Sequence, residues 1–165
     1  MFNRKKYEQD AVNLYRSTNA AILSTMSKKY EGYPFGSFIT YATDKSRTLF
    51  MYTSDIAQHT KNLKNDSKAC VTLFKLDTEY DKQNSSRLTL MGDLKKVPKD
   101  DLDDCQERFV KFLPESKKYS SMHDFKFYKL EISRVRWIGG FGDIAWINPK
   151  NWKDDSPKWS KNEKM

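Results

Sequence analysis

The apolar residues of this chain fall in six or seven strand-like runs, most of them about five to eight residues long, and helical segments do not alternate with these runs in a regular strand-helix rhythm. Parallel strands need a crossover connection of about a dozen residues or more, most often a helix, between each pair. The rhythm therefore excludes a parallel doubly wound sheet and leaves antiparallel strands with a few helices beside them. The strand candidates are "NAAILSTM", "SFITYAT", "TLFMYT", "KACVTLFK", "RLTLMGDLKKV", "FKFYKLEISRVRWIGG" and "DIAWI". In the second, Phe38, Thr40 and Ala42 alternate with Ile39 and Tyr41. "GYPFG" reads as a turn or loop, "DKSR" closes a hairpin, and Gly92 inside a long strand reads as a bulge or bend.

Helical spacing is seen over residues 4 to 17, where Tyr7, Ala11, Leu14 and Tyr15 share a face, and again from Pro98 to about Leu113. The second of these has an acidic first turn suited to the positive end of a helix dipole. With 165 residues, 38% hydrophobic and 14% aromatic, the chain can fill one substantial core but hardly two. The expectation is one α+β domain, mainly β, built on a small antiparallel barrel over residues 1–148, with an N-terminal helix within residues 1–18. Residues 149–165, "PKNWKDDSPKWSKNEKM", form a polar tail that is either a loose end or a dimer arm. Its two tryptophans, Trp152 and Trp159, favour an arm docked on a partner, because exposed tryptophan is unusual.

A formal charge of +8, from 30 Lys and Arg against 22 Asp and Glu, raises the question of nucleic acid. The lysines are scattered and often lie beside acids, as in "LKKVPKDDLDD", and no recognition helix, zinc knuckle or RNP-like strand is present. A small anionic ligand suits such a surface better. No apolar run approaches the roughly 18 residues of a membrane span, and "MFNRKKYEQD" leads into no signal-peptide core, so a cytoplasmic protein with no membrane contact is expected. Cys70 and Cys105 are too far apart for CxxC chemistry and read as reduced thiols.

One stretch combines structure and chemistry: "MYTSDIAQHTKNLKND", residues 51 to 66. Ser54 is an N-cap candidate, Asp55 suits a first turn, and Ile56, Thr60 and Leu63 share one face of a short helix. A strand running into a helix whose first turn is fringed by hydroxyls from Thr53 and Ser54, with Lys61 nearby, is also the geometry that holds a phosphate. Asp55 counts against an anion there.

"LFMYTSDIAQHTKNLKNDSKACVTLF", "RLTLMGDLKKV" and "RVRWIGGFGDIAWI", in this order and spacing, resemble the pyridoxamine 5′-phosphate oxidase-like split-barrel superfamily, and most closely its HugZ/HutZ-type haem-utilisation branch. The pattern runs from about residue 19 to 147. The resemblance implies a six-stranded antiparallel split β-barrel and a homodimer with ligand sites at the subunit interface. It implies FMN as cofactor, with Tyr52, Thr53, Ser54, Gln58, His59, Thr60, Lys61 and Arg87 as binding residues and no metal. Arg87 suits the role, since a guanidinium pairs a phosphate or the polar edge of a flavin. The alternative within the same resemblance is haem in the same groove, with His59 as the candidate ligand. His123, between Met122 and Asp124, reads as a loop residue.

Departures from the family pattern narrow the activity. "FGDIAWI" stands where pyridoxamine phosphate oxidases carry an Arg and a His for substrate, so a strict pyridoxamine phosphate oxidase is excluded. Ala57, Gln58 and His59 stand at the serine, arginine and lysine positions of the flavin phosphate segment, and no histidine follows Ile147. The function expected is an FMN-binding oxidoreductase, with a haem-binding or haem-degrading protein as the alternative. No motif assigns a catalytic residue.

Overall fold

The burial of alternate residues on each strand fixes which face of the sheet looks inward. In the computed structural model, which describes residues 4–153, a helix α1 (Arg4–Ser17) precedes strands β1 (Ala20–Met26), β2 (Pro34–Thr40), β3 (Ala42–Thr43) and β4 (Leu49–Ser54). Helix α2 (Gln58–Asn65) leads to β5 (Lys68–Lys75) and β6 (Ser86–Lys96), then α3 (Leu102–Phe112), β7 (Phe125–Ile138), β8 (Ile144–Ile147) and the short α4 (Pro149–Trp152). All strand pairs are antiparallel, in the order β2-β1-β5-β6-β7-β4-β3, with β8 on the remaining length of β7.

The strands thus number eight, not six. The two additions are short. Strand β2 ends at Thr40, and Tyr41, whose N–H still donates to the Asn19 carbonyl at 2.8 Å, separates it from the two-residue β3. Strand β8 folds back on the end of β7 through the turn at Gly139–Gly142, where Gly140 and Gly142 take the positive φ values 130° and 86° that a side chain resists. "GYPFG" is also not wholly a turn. Strand β2 begins at Pro34, which lies on an edge strand where its missing N–H breaks no ladder bond.

The inward face carries Ala21, Leu23, Val71, Leu73, Leu88, Leu90, Val135 and Trp137, and α1 adds Ala11, Val12, Leu14 and Tyr15. A second cluster, under α3, joins Phe109, Leu113 and Cys105 to Phe127 and Val97. Burial pushes the Cys105 thiol up to about 12, so it stays protonated and inert. Both cysteines are free thiols. Among the described residues no helix is long and apolar enough to cross a membrane.

The described part of the expected tail or dimer arm, residues 149–153, packs on this domain. Trp152 is 1% exposed and packs on this chain's own core, its ring 5.2 Å from that of Tyr15. Arg47, 3% exposed and in the left-handed region at φ 61°, donates from its guanidinium to the carbonyls of Asn151 at 3.2 Å and Trp152 at 3.1 Å. The domain therefore continues through α4. Trp159 lies outside the described residues.

Trp152→Ala should cost about 3–5 kcal/mol, the usual range for truncating a fully buried large aromatic, read as a lowered urea midpoint. A loss under about 1 kcal/mol would return α4 to the status of a dispensable tail.

Candidate functional site

Strand β4 ends at Ser54, and after three intervening residues α2 begins at Gln58. The alternation of β4 sends neighbouring site candidates to opposite faces. Tyr52 points toward α3, stacked on Phe127 at 4.1 Å and edge-on to Phe109 and Phe125, with its hydroxyl donating to the Tyr119 carbonyl at 3.2 Å. Thr53 points the other way. Its Oγ1 lies 2.7 Å from His59 Nε2 and 3.1 Å from Thr60 Oγ1. Thr60 is fully buried and His59 half-buried. Burial lowers the His59 pKa, so the imidazole is neutral near pH 7.

Ser54 does not cap α2, contrary to the expectation from sequence. Its hydroxyl donates to the Asp124 carboxylate and accepts from the Ile56 N–H at 3.2 Å. The N-cap is Ala57, which offers no side-chain acceptor. The first turn of α2 is left with donors that no side chain has satisfied. Asp55 pairs instead with Lys64 at 2.8 Å, whose ammonium holds that carboxyl below its usual range, with Lys96 and Lys126 adding to the effect.

Gln58 donates its amide to Asn62 Oδ1 at 3.0 Å, and buried Asn62 in turn donates to Thr25 Oγ1 at 3.0 Å and accepts from the Lys28 N–H. That network locks α2 onto β1, and it keeps Gln58 from a ligand. Lys61 is exposed on the helix. Arg87 is elsewhere: Thr53 pairs with Lys126 near one end of β7, while Arg87 pairs with Ile138 at the other. The path along β7 between them is on the order of 40 Å. The Arg87 guanidinium donates to the carbonyls of Gln83 and Ser85. Of the eight expected residues, Thr53, His59 and Thr60 are joined by hydrogen bonds, and Tyr52 shares a hollow with Thr53 and His59. His123 sits exposed in the turn before β7.

Several residues that the motifs did not point to complete the setting. A hollow of about 270 Å³ is lined by Phe38, Ile39, Thr40, Met51, Tyr119 and Phe125 together with Tyr52, Thr53 and His59. Phe38 is 69% exposed and belongs also to the outer face of the sheet. On that face a cross-strand row runs Phe38, Ile22, Thr72, Thr89, Arg136, Trp146, each registered against the next. The Arg136 guanidinium lies over the Trp146 ring, 5.0 Å from its centre. Cys70, Met91 and Arg134 form the flanking row on one side, and Phe74, Arg87, Ile138 and Ile144 that on the other. Among the described residues none of these three arginines pairs with a carboxylate. The sign of such a face is in the sequence, since both phases of "SFITYAT" carry large apolar groups.

The neutral state of His59 gives a pH signature. Above about pH 6.5 the imidazole is neutral in folded and unfolded chain alike. Below it the unfolded chain takes up a proton that the folded chain resists, so stability falls until the pH reaches the lowered folded-state value. His59→Gln removes that proton uptake, and its urea midpoint should depend less on pH between about 7 and 5 than that of the parent. Equal slopes in the two proteins would show that His59 is not shielded from water.

The family model for the CREG β-barrel matches residues 3–154. The chain is 34% identical over 119 residues to the non-canonical haem oxygenase HOZ of Arabidopsis thaliana chloroplasts, covering 72% of this chain and 36% of that protein. To protein CREG1 of Mus musculus it is 27% identical over 144 residues, covering 80% and 65%. It thus spans about a third of the length of the first relative and just under two thirds of the second. A haem-binding protein from Mycobacterium smegmatis superposes with TM-score 0.81 at 28% identity, over 89% of this chain and 60% of that one. Two more distant structures show the shared fold alone. HutZ from Vibrio cholerae has TM-score 0.65 at 20% identity, covering 78% and 92%, and an FAD-binding protein from Mesorhizobium loti has 0.61 at 9%, covering 76% and 89%.

Proposed function

This chain belongs to the CREG β-barrel family, and from that premise we propose that it is a haem-binding split barrel whose ligand lies on the outer face of the sheet, enclosed by a second copy of the chain. One observation carries the reading: an uncovered apolar row that includes Phe38, Ile22 and Trp146 and is accompanied by Arg87, Arg134 and Arg136, none paired with a carboxylate among the described residues. Haem is a flat apolar disc with two carboxylates at one edge, and such a face meets both of its parts. The similarity to HOZ and to the Mycobacterium smegmatis protein supports the same class.

The residues present fit the macrocycle and its carboxylates. Ile22, Phe38 and Trp146 offer the apolar surface, and the arginines supply charge-assisted hydrogen bonds to propionates. His59 stands in the hollow that Phe38 joins to this face, in the neutral form that metals take, but its Nε2 is engaged by Thr53. When bound, haem would supply iron redox chemistry. Closing the face with a second copy removes water from both ligand and sheet, and it buries apolar area that a lone protomer leaves exposed.

FMN, placed first on sequence grounds, becomes the second reading. The uncapped first turn of α2 and the hydroxyls of Thr53 and Thr60 favour a phosphate there. Against it, Gln58 is engaged by Asn62 and Arg87 lies at the far end of β7, which leaves Lys61 as the cation of the segment within one protomer.

Haemin added to the purified protein should give a shifted Soret band, while FMN should keep its free fluorescence. Arg136→Ala should weaken haemin binding by about 1.5–3 kcal/mol, the value of a hydrogen bond to a charged group. Quenched FMN with an unshifted haemin spectrum would reverse the order again. Light scattering should report twice the chain mass, and a monomer at micromolar concentration would remove the enclosing partner.

A further inference from the structure

Where β4 gives way to α2, the side chains of Thr60, Thr53 and His59 form a row joined by two hydrogen bonds, and the protons in that row can be counted. Thr53 Oγ1 lies 2.7 Å from His59 Nε2 and 3.1 Å from Thr60 Oγ1. Thr60 is fully buried and Thr53 is 7% exposed. Neither hydroxyl has another hydrogen-bond partner among the described residues. Each hydroxyl has one proton to give, and a neutral imidazole has one, on either of its nitrogens.

A single arrangement finds an acceptor for both buried hydroxyl protons: Thr60 donates to Thr53, and Thr53 donates to His59 Nε2. The imidazole proton then sits on Nδ1. If Nε2 held it and donated to Thr53, the hydroxyl proton of either Thr53 or Thr60 would be buried without an acceptor. An unmet buried donor costs enough to shift such a balance by about tenfold. His59 Nδ1 has no partner among the described residues and is not one of their buried polar atoms left without one, so it keeps accessible surface. A proton on Nδ1 is met by water. The doubly protonated ring is disfavoured by burial.

We propose that Thr53 fixes His59 as its Nδ1–H tautomer, so that this histidine offers a ligand one neutral N–H donor for an acceptor oxygen and no lone pair for iron. The lone pair of Nε2 is taken by Thr53, and Nδ1 carries the proton. Both threonine protons are spent within the chain, which weighs against an FMN phosphate held by these hydroxyls. Thr53 is thus a positioning residue that acts through His59. The statement about iron rests on the haem reading, whereas the tautomer does not.

The tautomer is read from the ring-nitrogen chemical shifts of the isotopically labelled full chain at about pH 8, where the imidazole is neutral, with His59 assigned by the loss of its signals in His59→Gln. Nε2 should appear as the unprotonated, downfield nitrogen and Nδ1 as the protonated one. Thr53→Val removes the donor and should raise the Nε2–H population about tenfold. Thr53→Ser, which keeps the donor, and Thr60→Val, which leaves Thr53 to donate unaided, should both retain the parent's tautomer. An unchanged near-ultraviolet circular dichroism spectrum shows that each variant folds, and the parent's own shifts decide the matter if Thr53→Val does not. With haemin, His59→Gln should keep the parent's Soret position, since no iron bond is lost. A protonated Nε2 in the parent, an unchanged tautomer in folded Thr53→Val, or a Soret band that moves in His59→Gln would overturn the proposal. A parent that binds no haemin would overturn the outer-face reading instead, and the ring-nitrogen shifts would still decide the tautomer.

Discussion

A contact between two backbones, closer than any side chain would allow, sets the shape of the sheet. A Cβ at position 92 would lie 2.0 Å from the Glu131 carbonyl oxygen, so only glycine lets β6 press against β7 there. The pairing register shifts between Met91 and Gly92 at the same place. A bulge of this kind bends the strand and increases its twist. Strand β7 can then serve two neighbours in succession on one edge, β4 along its first half and β8 along its second. The hollow beside His59 and the arginine-bearing face lie toward opposite ends of that one bent strand.

The curl also separates the chemistry of the two faces. Inside, Trp137 and the leucines of β5 and β6 are closed off by α1. Outside, β5, β6, β7 and β8 present Thr72, Thr89, Arg136 and Trp146 with no helix over them among the described residues. A charged side chain on the inner face would be costly without a partner, whereas on the outer face arginine can lie along an aromatic ring and keep its head in water. Arg136 over Trp146 is that arrangement. Sheet curvature, more than any single motif, divides the described chain into a filled side and an exposed side that carries arginine beside aromatic rings.

Much of the fold was legible because its signals are local. Helix α1 and strand β5 follow their patterns to the residue, and Gly92 marks its own bulge. The site was less legible because its competitors are distant in sequence. Ser54 has every local mark of an N-cap, yet Asp124, brought alongside by the β4–β7 pairing, takes its hydroxyl. Tyr52 and Thr53 are adjacent in a motif but fall on opposite faces of a strand. Gln58 and Arg87 looked free and are held by Asn62 and by loop carbonyls. Trp152 sits in so polar a stretch that nothing local shows its place in the core.

The contact between Arg47 and the carbonyls of Asn151 and Trp152 joins a hairpin tip to a helix more than a hundred residues later. Contacts of such long range are entropically expensive to make early, since the intervening chain must already be ordered to bring the partners together. Trp152 also follows every described strand along the chain, so the Tyr15 end of the core is sealed by the last described element.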